Sequence, residues 1–292
     1  MSDTLKFKHY RHNLQVKFHS IRKIVKFLYD NYCPNNLKNR KNISLSKVSD
    51  IDIISEYFLM LLIRQKSQRF FFKLFPILFP RRTMLERSRF NRRLNQLLPI
   101  INAIRVNLTK HVIIPDDTAI IDSFPVLVCN PIRNFRAKLF KGVANIGFNA
   151  TKNINFYGFK VHMCTTTSGY ILNYVVTEAS VHDAKVAETL IDNCPASKIL
   201  ADVGYVGQKL QDNFAQKGYQ LWTPYRSNMK KAKEHNKSNL KKIRRRIENY
   251  FWILNNKFEI EYNTVHTLTG FQVRLEAICL LQNLEFFVLD SN

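Results

Sequence analysis

The 292-residue sequence has 45 Lys and Arg against 22 Asp and Glu, which gives a formal net charge of +23 and a pI near 9.9. So large a basic excess is typical of a protein with a polyanionic partner, and nucleic acid is the first candidate. Five scattered cysteines without CxxC spacing exclude a disulfide framework or a zinc ribbon, and the lack of an apolar signal core or a membrane-length stretch predicts a soluble cytoplasmic protein.

Residues 1–112 are expected to form an all-α region that binds DNA. Up to residue 116 the sequence has 23 basic and 7 acidic side chains, whereas the remainder has 22 and 15, so most of the excess charge lies in the first part. A basic amphipathic stretch and a polar connector precede an apolar helix that begins near Asp50. The Phe-rich stretch at 70–82 is expected to be core, because buried Phe is far commoner than Phe that stacks on bases.

The best candidate for a helix against DNA spans residues 83–107. Phe90 and Leu94 belong to its apolar face, and four arginines lie on and around the helix: Arg87, Arg89, Arg92 and Arg93. A solvated basic helix without a ligand is the alternative. We favour DNA contact because the whole chain is so basic, although the sequence does not assign bases to side chains.

After a Pro-containing boundary at 111–117 the pattern changes to strands that alternate with helices. Ala119–Asp122 is predicted as a short strand that ends on a carboxylate and is broken by the following Ser-Phe-Pro. A basic loop at 128–153 is longer than an ordinary connection and is expected to be functional. The later predicted elements are a hairpin at 156–177, helices at 183–194, 209–217 and 235–258, and strands that end near 202 and 225. This order predicts an α/β fold with a mixed sheet and flanking helices over 113–292.

Asp202 ends an apolar strand in the stretch ILADVGYVG, where two glycines follow at once. A bare carboxylate among apolar neighbours costs several kcal/mol unless a cation pairs with it, which favours a metal ligand. Asp is also a favoured residue at the start of a helix. The stretch alone therefore supports either a helix cap or a metal ligand.

Two further carboxylates favour the ligand. Asp122 ends the first predicted strand and Asp202 the fourth, so the two lie together if these strands are neighbours. Glu248 lies on the shoulder of the apolar face of the last predicted helix; alone it would be read as an ion pair with Arg244, one turn earlier. Three converging carboxylates suit Mg²⁺ or Mn²⁺, and two such ions about 4 Å apart suit an in-line phosphoryl displacement.

Other candidate ligands are expected to be structural. Asp183 is a rival second carboxylate, but it precedes a predicted helix and is expected to cap it. His162 and Cys164 share a strand face without further soft ligands, so we expect ordinary strand residues rather than a zinc site.

Several segments together resemble the DDE transposases, and more closely the transposases of bacterial insertion sequences of the insertion-sequence 982 family. The segments are IDSFPV, FYGFKVH, TEASVHD, LADVGYVG, LWTPYRSNMK, RRRIENYF and VHTLTGFQVRLEA. The resemblance covers about residues 115–280, with a weaker match at 90–99. The Tyr-Arg-Glu-Lys signature of related transposases is only partly present, because Arg244 precedes Glu248 by four residues but Lys241 and Asn255 occupy the tyrosine and lysine positions.

The resemblance implies an RNase H-like core in which Asp122, Asp202 and Glu248 are catalytic and bind Mg²⁺ or Mn²⁺, with two ions expected. It implies a homo-oligomer, associated with the bacterial nucleoid, that binds double-stranded DNA at the terminal inverted repeats. Hydrolysis of a phosphodiester there would free a 3′ hydroxyl that attacks target DNA. The basic residues expected to line the approach to the site are Arg226, Lys230, Lys231, Lys241, Arg244 and Arg245.

Two other functions share some of these features. A methyltransferase is suggested by the pattern DxGxxG from Asp202 to Gly207, but the next strand lacks an acid to hold a ribose and the glycines come late in the fold. A DNA-binding remnant without catalytic activity is the other alternative, although all three acids are present.

Overall fold

The computed structural model describes residues 3–150, 152–236 and 239–289. The chain forms two compact units, one of Met1–His111 with Thr267–Leu281 and the other of Val112–His266 with Gln282–Asn292. The predicted division at 112/113 assigned residues 267–281 to the carboxyl-terminal domain, whereas they belong with the first unit. None of the helices in the described ranges is both long and apolar enough to cross a membrane.

The structure is mixed α/β. Its α-helices are α1 Asp3–Tyr32, α2 Asn35–Lys38, α3 Asp50–Leu62, α4 Gln68–Leu78, α5 Arg87–Gln96, α6 Leu98–Thr109, α7 Ala187–Leu190, α8 Gln208–Gln216, α9 Ala232–His235, α10 Asn239–Arg244, α11 Arg246–Phe258 and α12 Leu268–Leu289. Its strands are β1 Thr118–Leu127, β2 Asn145–Asn149, β3 Ile154–Thr166, β4 Ile171–Glu178, β5 Lys198–Leu200 and β6 Gln220–Trp222.

The regular elements described in the first unit are all helical. The Phe-rich stretch forms α4, and Phe71 and Phe75 on this helix are fully buried. The ring of Phe18 on α1 lies 5.5 Å from that of Phe75 and 4.8 Å from that of Phe79. The prediction that this stretch is core is confirmed for these buried rings, which pack on one another, but not for Phe70 and Ile77, which are exposed.

A buried carboxylate holds together three parts of the first unit. Asp50, at the start of α3, accepts hydrogen bonds from Arg40 at 2.6 and 2.7 Å, from Arg93 at 2.8 Å and from the Tyr29 hydroxyl at 3.0 Å. Arg93 also donates to the Ser46 hydroxyl. A buried charge is tolerated only when it is paired in this way, so Arg93 has a structural task within the unit.

The second unit is built on a six-stranded sheet with the order β2-β3-β1-β5-β6, in which β4 also pairs with β3. The β1–β3 and β3–β4 pairs are antiparallel, and β1–β5 and β5–β6 are parallel. The predicted hairpin and parallel crossovers are therefore present. The sheet is mixed, with β1 near its centre.

Two features of the sheet differ from expectation. β1 does not end at Asp122 but continues through Pro125 to Leu127, paired with β3 along this length. The proline is tolerated because β5 pairs only with residues 118–120 and does not reach the other side of β1 at Pro125. Part of the predicted loop at 128–153 is the strand β2, which pairs with the first half of β3, the next strand in the chain.

Two predicted helices are shorter than expected. The region 183–194 holds a 3₁₀ turn at Asp183–Lys185 and the single-turn helix α7. The helix expected at 235–258 is divided into α9, α10 and α11, and the break between the last two lies at Arg245. The residue just before that break, Arg244, is buried and charged.

Candidate active site

Asp122 is held in the middle of β1, opposite Met163 of β3. Its side chain is 15% exposed, and its Oδ1 accepts a hydrogen bond from the Ser123 N–H at 2.8 Å. Burial raises the pKa of Asp122 to about 7, against the opposing effects of Arg244 and of the Ser123 hydrogen bond. A carboxyl group with this pKa responds strongly to any change in nearby positive charge.

Asp202 lies two residues beyond the end of β5. The parallel pairing of β1 and β5 at 118–120 and 198–200 brings the chain segments that carry Asp122 and Asp202 to the same end of the sheet. The backbone of Asp202 is at the start of a 3₁₀ turn, Val203–Tyr205, but its side chain makes no capping hydrogen bond. Its carboxylate is 42% exposed and is available for another partner.

Glu248 is in the first turn of α11. Ile247, Phe251 and Leu254 on this helix are buried, and the ring of Phe251 lies 4.8 Å from that of Phe124 on β1. This packing fixes α11 against the strand that carries Asp122. The carboxylate of Glu248 is 57% exposed, so it lies at the margin of the core, as its position on the helix predicted.

One guanidinium joins the three carboxylates. Nη2 of Arg244 donates to Asp122 Oδ2 at 2.8 Å and lies 3.5 Å from Asp202 Oδ1. Nη1 donates to Glu248 Oε1 at 2.6 Å. Burial by itself would lower the pKa of Arg244, but the charges of the three acids raise it above its ordinary value. Asp122, Asp202 and Glu248 therefore meet, and a cation lies between them.

The donor chemistry of these acids fits a hard divalent cation. All three offer carboxylate oxygens, which are the ligands that Mg²⁺ and Mn²⁺ prefer, and two of the three are open to solvent. In the described ranges, no three His, Cys, Asp or Glu side chains are placed to hold a metal ion directly. The three acids share the guanidinium of Arg244 instead. Their combined negative charge would also attract a cation of higher charge to this position.

Asp183 lies behind this cluster, and the prediction that it caps a helix is wrong. The cap is His182, whose ring accepts a hydrogen bond from the Ala184 N–H at 3.3 Å. Asp183 Oδ1 accepts from the Ser123 hydroxyl at 3.2 Å and from Lys160 Nζ at 3.1 Å. It therefore contacts the residue next to Asp122, and sequence spacing carries no signal for this contact.

His162 is a buried strand residue of β3. Its Nε2 lies 3.0 Å from the Thr177 hydroxyl, and its Nδ1 lies 3.6 Å from Asp183 Oδ1. Burial lowers the pKa of His162 to about 4. Cys164, two residues later, belongs to the apolar core of the unit.

The arginines and lysines assigned to DNA differ in their surroundings. In the first unit Arg87, Arg89 and Arg92 are exposed on α5, whereas Arg93 is engaged by Asp50. In the second unit Lys241 is half-buried and Arg244 is buried among the acids; the remaining assigned cations are exposed: Arg226, Lys230, Lys231 and Arg245. Arg93 and Arg244 thus depart from the expected exposure, because each neutralises a carboxylate that is itself largely removed from solvent.

Stacked aromatic rings anchor the basic segment 226–231. The ring of His235 lies parallel to that of Tyr225, with centroids 3.7 Å apart, and is also stacked on Trp222 at 5.4 Å. A ring nitrogen of His235 lies 2.9 Å from the Thr223 carbonyl oxygen. The exposed cations of the segment are therefore carried by a fixed turn.

Residues 113–268 match the family model described as a transposase DDE domain. A similar solved structure is the cryo-EM structure of a piggyBac transposase synaptic complex with hairpin DNA, with 18% sequence identity and a TM-score of 0.37. The match covers 75% of this chain and 51% of that one, so the chain spans about half the length of that transposase. No curated protein matches the sequence. Because the family match covers more than half of the chain and includes Asp122, Asp202 and Glu248, the protein belongs to the DDE transposase-domain family.

Proposed function

We propose that this protein is a transposase that cuts DNA at the ends of a mobile element and joins the freed 3′ hydroxyl to target DNA. The observation that carries the proposal is the meeting of Asp122, Asp202 and Glu248 around Arg244, inside the region that matches the DDE family. The acids come from β1, from the turn after β5 and from α11, and three carboxylates placed together in this way suit phosphoryl transfer.

We infer that Asp122, Asp202 and Glu248 would hold Mg²⁺ or Mn²⁺, with two ions in the proposed site. Bound ions supply the activation of an attacking oxygen and the stabilisation of a leaving oxygen in a phosphodiester displacement. Asp122 is fixed within the sheet and provides a rigid ligand, while Asp202 and Glu248 are open to the solvent side from which DNA arrives.

Arg244 has two tasks in this proposal. It neutralises the three acids, which would otherwise repel one another, and it would give way to cations of higher charge if they bound there. Its planar fork of donors would then be close to the site and well suited to pair with a phosphate.

DNA contact is proposed for the exposed cations of both units. In the first unit these are Arg87, Arg89 and Arg92; in the second unit they are Arg226, Lys230, Lys231 and Arg245, with the half-buried Lys241. We propose an RNase H-like catalytic domain, an all-α DNA-binding region, and a homo-oligomer that binds terminal inverted repeats and target DNA. Membership of the insertion-sequence 982 family, and with it a place at a bacterial nucleoid, is part of the same proposal.

A nicking assay tests the function. The protein is incubated with Mg²⁺ and a duplex that carries the inverted repeat from the DNA flanking its gene, and Asp202→Asn is compared with Asp212→Asn. Asp212 is an exposed-helix control that accepts a hydrogen bond from Gln208 one turn earlier. Metal-dependent nicking that Asp202→Asn abolishes and Asp212→Asn retains supports the transposase.

The other outcomes separate the alternatives. Binding of the duplex without cleavage in Mg²⁺ or Mn²⁺ would indicate a DNA-binding remnant. Transfer of a methyl group from S-adenosylmethionine would indicate a methyltransferase and overturn the proposal.

A further inference from the structure

The turn after β1 exposes two large apolar side chains. Pro131–Arg136 forms a 3₁₀ turn in which Ile132 is 87% exposed and Phe135 is 91% exposed. Single exposed apolar residues are ordinary, but two on one turn at nearly full exposure indicate a surface that another molecule covers.

The turn is held firmly by the side chain between them. Asn134 is buried; its Nδ2 donates to the Asn155 carbonyl oxygen at 2.9 Å, and its Oδ1 accepts from the Tyr157 N–H at 3.0 Å. Both bonds attach the turn to β3. Ile132 and Phe135 are therefore presented to solvent by a fixed backbone rather than by a loose loop.

The residues that follow the turn are attached to the same strand. The hydroxyl of Tyr157 donates to the Leu139 carbonyl oxygen at 3.0 Å. Phe140 is buried, and its ring lies 5.2 Å from that of Phe159. The whole segment Pro131–Lys141 is thus anchored at both ends.

The charge of this segment selects its partner. From residue 128 to residue 153 the sequence contains no Asp or Glu. The exposed basic residues of the segment are Arg133, Arg136, Lys138 and Lys141. A second copy of a chain with a net charge of +23 would meet electrostatic repulsion here, whereas a polyanion is attracted. Aromatic and apolar side chains among cations suit nucleic acid with exposed base faces, because rings stack on bases while cations pair with phosphates.

We propose that Pro131–Lys141 is a DNA-binding segment that recognises unstacked bases. Phe135 and Ile132 pack against bases at an opened or kinked part of the duplex, and Arg133, Arg136 and Lys138 pair with the adjoining phosphates. The inference rests on the proposed function for its choice of DNA, and it adds a contact distinct from α5 and from the basic segment 226–231.

Binding without catalysis tests the proposal. Fluorescence anisotropy in the absence of divalent metal compares a fully paired labelled duplex with the same duplex carrying a two-nucleotide bulge. The variants are Phe135→Ala, Phe135→Trp and, as a control for an exposed phenylalanine of the first unit, Phe27→Ala. Because Phe135 is exposed, Phe135→Ala is expected to leave the unfolding midpoint unchanged.

We expect Phe135→Ala to weaken binding of the bulged duplex about tenfold, in line with the usual effect of losing one aromatic stack. Phe135→Trp retains that binding, and the paired duplex is affected much less. If Phe135→Ala binds each duplex as tightly as Phe27→Ala does, the proposal is overturned. The proposal is also overturned if sedimentation shows that the wild-type protein self-associates and that only Phe135→Ala abolishes this association, since the segment would then bind a second copy. If the wild-type protein binds neither duplex, DNA is the wrong partner and the proposed function fails with the inference.

Discussion

Arg244 and Asp122 form an ion pair with an Nη2 to Oδ2 distance of 2.8 Å, although they are 122 residues apart in sequence. The pair is largely shielded from water, with side-chain exposures of 9% and 15%. Because the same guanidinium also contacts Asp202 and Glu248, the loss of one side chain changes the electrostatics of the whole cluster.

Arg244→Gln is expected to lower the free energy of unfolding by about 2 kcal/mol, because the acids lose the cation that they share; the partial exposure of two of them limits the loss. Mg²⁺ should then restore more stability to the variant than it adds to the wild-type protein, since the ion no longer competes with a guanidinium. Thermal unfolding across a Mg²⁺ titration measures both effects.

Arg245→Gln is the matched control, because Arg245 is the next residue and is exposed. It should unfold like the wild-type protein with or without Mg²⁺. A Mg²⁺ response of Arg244→Gln no larger than that of Arg245→Gln would contradict competition at the acids.

Tryptophan fluorescence should report DNA at the site. The sequence has two tryptophans, Trp222 and Trp252. Trp252 is 66% exposed and follows Glu248 by one helical turn, so DNA near the acids should quench it. A Trp222→Phe variant isolates this signal, and the quenching should weaken as salt is raised. Unchanged emission on saturation with duplex would place the DNA elsewhere.

Stability of the first unit should depend on pH through Glu56, a buried residue of α3. Burial raises its pKa to about 8 from an ordinary value of 4.5. The folded state then binds a proton that the unfolded state has lost, so the free energy of unfolding falls as pH rises from about 4.5 to 8.

Glu56→Gln removes this dependence. We expect the free energy of unfolding of the variant, relative to that of the wild-type protein, to rise by on the order of 3 kcal/mol as the pH is raised from 5 to 8. Above pH 8 this difference should change little. Urea unfolding at a series of pH values measures it. A constant difference across the series would show that Glu56 is ionised throughout.

Asp183 and Lys160 should be coupled in stability. A double-mutant cycle of Asp183→Asn and Lys160→Met is expected to give a coupling energy of about 1 to 2 kcal/mol, because both side chains are mostly buried. The pair of Glu188 and Lys217 is more exposed and should give less than about 0.5 kcal/mol. Equal coupling in the two cycles would mean that the Asp183 pair is solvated.

The sequence predicted the parts of the site that depend on local pattern. Apolar runs next to Asp122 and Asp202 indicated two strands, and the helical period placed Glu248 at the margin of the core. It did not predict that Arg244 would lie among these acids, because that depends on how α10 and α11 meet β1 and β5.

The same distinction applies to the sheet. The length of β1 depends on pairing with residues 158–166 of β3, which lie far along the chain, so no local pattern records it. Pro125 indicated the end of a strand by its missing N–H, but that N–H is not needed where β5 does not reach β1.

The three acids are attached to the fold with unequal stiffness. Asp122 lies within a strand that is paired with β3 from Ala119 to Leu127, whereas Asp202 follows a three-residue strand and Glu248 follows a break between helices. If the cluster adjusts to a different cation, we therefore expect the turn after β5 and the start of α11 to move, and Asp122 to keep its position.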